Sequence, residues 1–235
     1  MPDETITLTP GEVDVRLGRR YEPDPRNKDW PIRALLPLRS YEQPRTKIWA
    51  CKTVLDQGNI GSCVGNAFAA QLIARPYPIK NITQKDAVNI YRSAQTLDEY
   101  PGEDYEGTSV LAGVKATKKL YPNTIESYRF GSTLADAVAV LSWHSPIVVG
   151  FNFYSGMYTV DSDGFIHVTG SQVGGHAMLA RGVDIQKNAI MIRNSWGRKF
   201  GRNGDAWISY DDFSRLIQEN GELCIPITMG WWRQK

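Results

Sequence analysis

The sequence has no apolar run approaching the roughly 20 residues that span a bilayer, and its opening stretch MPDETITLTPGEVDVRLGRR carries no hydrophobic signal-peptide core. No membrane partner is expected. A soluble chain is expected, either cytoplasmic or released without a classical signal. Cysteine is scarce: Cys51, Cys63 and Cys224 are the whole set, with no CxxC pair. That argues against a disulfide framework and against a zinc cluster. A single Cys51–Cys224 bridge stays arithmetically open, although the missing signal favours a reducing compartment. Excess charge is also lacking, since 27 Lys and Arg face 25 Asp and Glu for a net +2. Such a balance gives no electrostatic footprint for nucleic acid. Internal repeats and low-complexity tracts are absent too. What is present is 42% apolar content over 235 residues, enough for one core or for two lobes around a cleft.

Seven of the thirteen prolines (2, 10, 23, 25, 31, 37 and 44) fall in the first fifty residues, among charges and without helix or strand periodicity. Residues 1–35 therefore read as an arm that cannot build its own core, and the body, 36–235, begins near Leu36. Beyond Ser62, the apolar residues Val64, Ala67, Phe68 and Leu72 recur at helical spacing until Pro76 and Pro78, which predicts a helix with Cys63 in its first turn. Thr83 and Asp86 resemble an acidic capping box opening a second helix. Further helices are predicted at Ser109 to Leu120 and Thr133 to Ser142. The texture then turns to short β runs: PIVVGFNF, GFIHV behind an Asp-Gly turn, HAMLARGVD, AIMIRNS, AWISY and LCIPIT. Helices first and strands second predict an α+β fold, with a helical lobe at about 55–125, a β lobe at about 126–230 and a cleft between them.

Cys63 follows the Gly-rich stretch LDQGNIGS and opens an apolar helix, where the positive end of the macrodipole favours thiolate. A free cysteine beside apolar residues is more often a small core hydrophobe. Its company changes the weighing. His176 opens one predicted strand and Asn194 ends the next, so an antiparallel pair brings them to one end of a sheet. Asn194 then orients one ring nitrogen of His176 and leaves the other for the thiol, as an imidazolium beside a thiolate formed before substrate arrives.

The blocks DQGNIGSCVGNAFAA, GGHAMLARGVD and IRNSWGRKFGRNGDAWISY resemble, in the same order, the three active-site blocks of papain-like cysteine peptidases. The likeness covers roughly Leu36 to Ile227. It implies the two-lobe papain-like fold and a Cys63–His176–Asn194 triad. It also implies Gln57, six residues before Cys63, as an oxyanion donor alongside the Cys63 N–H, a contribution of about 3 kcal/mol per donor. By the same resemblance Trp196 shields the His–Asn hydrogen bond, Gly107 offers a backbone edge to an extended substrate, and Gly174 and Gly175 line a substrate pocket. The expected partner is a peptide or protein substrate, hydrolysed through an acyl-enzyme without metal or cofactor. The sequence departs from the usual pattern at Val64, where an aromatic follows the nucleophile, and at Ile60, where a disulfide cysteine stands. His176 lies 113 residues after Cys63, short of the about 130 to 150 common in the family. These trimmed loops are more like compact bacterial or viral members. The same scaffold would also serve a peptide ligase or transferase, or a non-catalytic binding module.

The other candidates have plainer readings. His144 and His167 read as loop or strand-surface residues, the cluster RNSWGRKFGRNG as a solvated loop, and Trp231 and Trp232 as a tail packed on the body. The arm carries the anchors Tyr21 and Trp30 and, as N-terminal segments do in this family, would block the cleft or brace the body.

Overall fold

The computed structural model describes residues 14–29, 31–100 and 106–231. In chain order, strand β1 (Arg19–Arg20) and two short 3-10 turns precede helix α1 (Arg39–Glu42) and β2 (Lys47–Ile48). Three helices and a short strand follow: α2 (Cys63–Ile73), α3 (Gln84–Gln95), β3 (Thr108–Ser109) and α4 (Val110–Leu120). The remainder is β4 (Ile125–Gly131), α5 (Leu134–Trp143), β5 (Ile147–Tyr154), β6 (Gln172–Asp184), β7 (Ala189–Arg193), β8 (Asp205–Ser209), α6 (Tyr210–Gln218) and β9 (Glu222–Thr228). The strands form one antiparallel sheet in the order β4-β9-β5-β6-β7-β8, with β2 added to β6, while β1 pairs in parallel with β3 alone. This is the α+β arrangement of helices before sheet that the sequence predicts.

Period-two alternation decides which lobe each strand residue serves. On β5 and β6, Val148, Ala177 and Leu179 join the apolar cluster of α2, α3 and α4. Their neighbours Val149, Phe151, Phe153, Met178 and Ala180 join a second cluster with α5 and α6. The sheet thus has a core on each face, and the helical lobe rests on one of them. Helix α2 is buried on all sides from Cys63 to Leu72, as a helix enclosed by two others and a sheet must be. The Thr83–Asp86 capping box forms at the start of α3, and Ser109 and Thr133 cap α4 and α5. The arm is not independent of the body: Leu17 and Ile32 are buried in the β-lobe cluster.

Several expectations need correction. GFIHV is not a strand: Phe165 makes one isolated bridge to Trp207, and His167 is held in the preceding turn by Asp161, 2.7 Å away. His144 is buried rather than superficial. It stacks on Trp231 at 4.8 Å, and burial pushes its imidazole down to about 4. Trp231 packs on the body, whereas Trp232 and Trp30 lie outside the described residues. Arg193, at the head of the supposedly solvated basic cluster, is buried against Asp205. All three cysteines are free thiols. Of the longer elements β4 and α6 have no counterpart in the sequence reading, and neither do the short β1, α1, β2 and β3.

Candidate active site

Cys63 is the first residue of α2, and its side chain is fully buried. The backbone N–H groups of Ala177, Gly18 and Val64 act on its sulfur, so the thiol lies against the strand that carries His176. His176 and Asn194 come together because β6 and β7 pair antiparallel, with Leu179 opposite Arg193, which sets Asn194 just past the strand end beside the histidine. The imidazole Nε2–H donates to Asn194 Oδ1 at 2.8 Å, and the Ser195 N–H donates to the same oxygen at 2.8 Å. With Nε2 carrying the proton, Nδ1 is the basic nitrogen. Phe153 and Trp196 flank the ring at 5.3 and 4.9 Å, sealing the His–Asn bond in an aromatic wall.

Gln57 reaches the same site from the segment before α2. Asp56 bridges Trp196, the Gln57 N–H donates to Ser195 O at 2.8 Å, and Gly197 N–H donates to Leu55 O at 3.1 Å. A short ladder thereby fastens Gln57 to the loop that holds Asn194. Ser195 Oγ donates to Gln57 Oε1 at 2.6 Å, which turns the amide NH2 toward the cleft. The sequence reading missed Ser195, although its place beside Asn194 in RNSWG was the available signal.

The cleft is filled by the chain's own arm. Gln57 Nε2 donates to the Arg16 carbonyl at 3.0 Å and to Ile60 O at 2.8 Å. Gly18 bridges Gly175 in parallel and accepts from the Thr108 N–H at 2.9 Å, and Arg19–Arg20 continue in register with Thr108–Ser109. Gly107, the predicted backbone edge, and Gly175, predicted to line a substrate pocket, therefore both contact this strap. Gly107 has φ +98, a conformation that side chains disfavour, and a Cβ there would lie 2.3 Å from Gly18 O. Gly18 fits as tightly, since a Cβ on it would sit 2.0 Å from Gly61 O. Leu17 packs over Gly174, and the Arg16 guanidinium lies 4.4 Å over the Trp196 ring while paired to Asp14 at 2.7 Å. Asp14 in turn accepts from Tyr158 OH at 2.9 Å.

Under the strap the electrostatics reverse the expected state. Burial pushes the Cys63 thiol up to about 11, against the pull of the neighbouring N–H groups and of Arg19. Burial likewise drives His176 down to about 4, against its bond to Asn194 and the charge of Asp14. The Arg16 carbonyl faces the ring and acts on its basicity, yet Nδ1 makes no well-formed hydrogen bond. The expectation of a preformed thiolate and imidazolium is thus corrected: with the arm in place both groups are neutral. No group of His, Cys, Asp and Glu able to hold a metal exists among the described residues.

No family model matches the chain. Among curated proteins it is 25% identical over 154 residues to cathepsin B-like cysteine proteinase 4 of Caenorhabditis elegans, covering 61% of this chain and 44% of that one. It is 26% identical to an uncharacterized peptidase C1-like protein of Acanthamoeba polyphaga mimivirus, covering 64% and 62%, and 28% identical to the oryzain gamma chain of Oryza sativa subsp. japonica, covering 68% and 54%. The chain spans about half the length of these relatives. Among solved structures, xylellain, a cysteine protease from Xylella fastidiosa, superimposes with TM-score 0.71 over 94% of this chain and 97% of that one at 20% identity. Digestive procathepsin L2 proteinase of Tenebrio molitor gives 0.61 over 93% and 80% at 16% identity. The shared fold is the papain-like one.

Proposed function

From a chain with the papain-like fold and papain-like cysteine peptidases among its relatives, we infer a cysteine peptidase that hydrolyses peptide bonds through Cys63, His176 and Asn194 and is held latent by its own arm. One observation carries the reading. Four groups of complementary chemistry, a thiol at a helix N-terminus, an imidazole, its amide orienter and an inward-turned Gln57 amide, converge beneath one strap.

With the arm withdrawn, water reaches the site and the burial that suppresses both charges is relieved, so proton transfer from Cys63 to His176 becomes favourable. The thiolate attacks a peptide carbonyl, and the oxyanion is stabilised by the Gln57 amide and the Cys63 N–H, which as the first helical residue has no intrahelical acceptor. His176 then gives its proton to the departing amine. Water, deprotonated by His176, releases the acyl group and restores the thiol. Asn194 keeps the ring oriented throughout, and Trp196 keeps water from the bond between them.

Digestion of a peptide library by the Gly18→Val protein, whose arm cannot seat because even a Cβ there would come 2.0 Å from Gly61 O, and by the same protein carrying Cys63→Ala, read by mass spectrometry with and without an amine acceptor, tests this. Hydrolysis products should accumulate with Gly18→Val and fall by about 10⁴-fold or more when Cys63→Ala is added, with an unchanged circular-dichroism spectrum. Undiminished cutting after Cys63→Ala would sink the assignment, and amine-capped products in place of acids would make the protein a transferase.

A further inference from the structure

A polar side chain lies inside the apolar helix that carries the thiol. Asn66, fully buried near the start of α2, stands among Val64, Ala67, Phe68 and Ala70, where an amide is costly unless its polar atoms are paired. They are. Asn66 Nδ2 donates to the Ser62 carbonyl at 2.9 Å and to Ser62 Oγ at 3.0 Å, and Oδ1 accepts from Gln84 Nε2 at 2.9 Å. Gln84 is the first residue of α3, and its Oε1 accepts from the Asp56 N–H at 3.0 Å. The two helices come close enough for this because residue 65 has no side chain: a Cβ on Gly65 would lie 2.3 Å from Ala87 O. A relay of hydrogen bonds thus runs unbroken from Asp56 through Gln84 and Asn66 to Ser62.

The ends of the relay are the neighbours of the two oxyanion donors: Asp56 precedes Gln57, and Ser62 precedes Cys63. The Ser62 carbonyl and the Cys63 N–H belong to one planar peptide unit, so whatever aims the carbonyl also aims the N–H. That carbonyl accepts from the Asn66 N–H at 2.9 Å, the ordinary helical bond, and from Asn66 Nδ2 as well. The second bond pins the plane at a helix end, where backbone geometry otherwise frays. By drawing charge onto the oxygen it also makes the N–H a stronger donor. The Ser62 hydroxyl makes no capping bond to the helix and is engaged by Asn66 instead.

We propose, on the footing of the peptidase reading, that Asn66 and Gln84 are positioning residues for the oxyanion site, holding the Cys63 N–H and the Gln57 segment at the separation that one carbonyl oxygen needs. The relay acts on the two donors and leaves the His176–Asn194 pair to β6 and β7, which place it from the other side of the cleft. Packing alone does not call for an amide here, since Gly65 already meets Ala87 and Tyr91 where α2 and α3 touch. What packing cannot do is orient a peptide plane.

The test uses the full chain carrying Gly18→Val, so that the cleft is open, with Asn66→Leu or Gln84→Ala added. Asn66→Leu keeps the volume and removes the side-chain bonds. Gln84→Ala, at the half-buried start of α3, cuts the relay at its middle and carries the test should the leucine protein fail to fold. Peptide hydrolysis should fall about thirtyfold in kcat with Asn66→Leu and about fivefold with Gln84→Ala, with KM held to within about twofold. Two further readouts separate positioning from packing. Affinity for a peptide aldehyde, whose carbon bonds Cys63 Sγ and whose oxygen then lies between the two donors, should weaken by the factor that kcat loses. Alkylation of Cys63 by chloroacetamide, which displaces chloride without forming an oxyanion, should keep its rate to within about twofold and its pH profile unchanged. Alkylation that slows along with hydrolysis, or aldehyde affinity that holds, makes Asn66 a packing residue and overturns the proposal. A Gly18→Val protein that binds the aldehyde and cuts no peptide overturns the peptidase reading instead, and a loss of aldehyde affinity in Asn66→Leu with alkylation unchanged still supports the relay.

Discussion

Around Asp205, both carboxylate oxygens accept two hydrogen bonds each, from the forks of Arg181 (2.9 and 2.5 Å) and Arg193 (2.7 and 2.9 Å). The spare guanidinium nitrogens reach the carbonyls of Trp49, Cys51 and Thr53, lashing the segment that leads to Gln57 onto the sheet. Around His176, a few residues away along the same strands, His176 Nδ1, Asn194 Nδ2 and Trp196 Nε1 are buried with no hydrogen-bond partner among the described residues. Buried polar groups in proteins are nearly always paired, so three orphans in one place mark a site arranged for something other than stability. The clamp holds the frame, and the cleft keeps its polar atoms in reserve.

The largest effect should come from cutting the clamp. Asp205→Ala leaves two buried guanidiniums facing each other, and denaturant unfolding should show a loss of about 3–5 kcal/mol. Asn194→Ala should cost only about 1–3 kcal/mol, while kcat falls by about 10²-fold because the ring loses its orienter. Should Asp205→Ala prove nearly neutral in stability, the contrast between frame and cleft dissolves.

The next effect concerns the strap. Gly18→Val places a side chain where a Cβ alone would come 2.0 Å from Gly61 O, so the arm cannot seat. With the burial that holds its thiol at about 11 removed, Cys63 should be alkylated at pH 7 about tenfold faster or more than in wild type. Equal rates would mean that something other than the arm silences the thiol.

The two regions also part company in acid. Asp205 is buried, which alone would raise its pKa, yet its two arginines hold it below the ordinary 3.8; its contribution is therefore full above pH 4 and lost only below it. His176 is depressed from 6.5 to about 4 by burial, with Asp14 raising and Arg16 lowering it. In a Cys63→Ala protein, where no thiol can supply the proton, a strap-free ring takes a proton from solvent that the covered ring refuses, so strap docking there is complete above pH 6.5 and weakens as pH falls toward 4. Hydrogen exchange over Gly18–Arg20, corrected for intrinsic rate, should accelerate across that window in Cys63→Ala and stay flat in Cys63→Ala/His176→Gln. His144, also held near 4, lies away from the strap and so lowers global stability in the same range without touching this local signal.

The parts of this arrangement legible in the sequence are those where chemistry and local pattern coincide. The apolar periodicity after Ser62, the Thr83–Asp86 box and the strand texture around His176 and Asn194 each carry their own signal, and the structure has an element at each. Helix α6 was missed although Ser209 caps it through the Asp212 N–H and Phe213 and Leu216 line its buried face, because AWISY reads as a strand running straight into it. Strand β4, with the half-buried sequence IESYRFG, shows no clear alternation. The register of the strap was invisible for a deeper reason. Residues 14–20 are shaped by a surface assembled from Gly61, Gly107, Gly150 and Gly175, far apart in the chain, so nothing local in the arm encodes its path. Glu222 and Arg19, 203 positions apart, could be paired only once the sheet was closed.

The smallest effect tests whether the cleft is as deliberately set as the clamp. Ser195 Oγ holds Gln57 Oε1 at 2.6 Å, and the Ser195 N–H holds Asn194 Oδ1 at 2.8 Å, so one residue fixes both the Gln57 amide, the proposed oxyanion donor, and the amide bonded to His176. Ser195→Ala keeps the backbone bond and removes only the hydroxyl. Gln57 then has less to choose between its two amide orientations, and only one of them donates into the cleft. The loss of about 1 kcal/mol of orienting energy should lower kcat about fivefold with KM unchanged, because the amide matters to the developing oxyanion more than to bound substrate. The Ser195→Thr variant, which restores a hydroxyl, should recover most of the rate. A change in KM alone, or no rescue by threonine, would reduce Ser195 to a packing residue and leave Gln57 oriented by its backbone ladder.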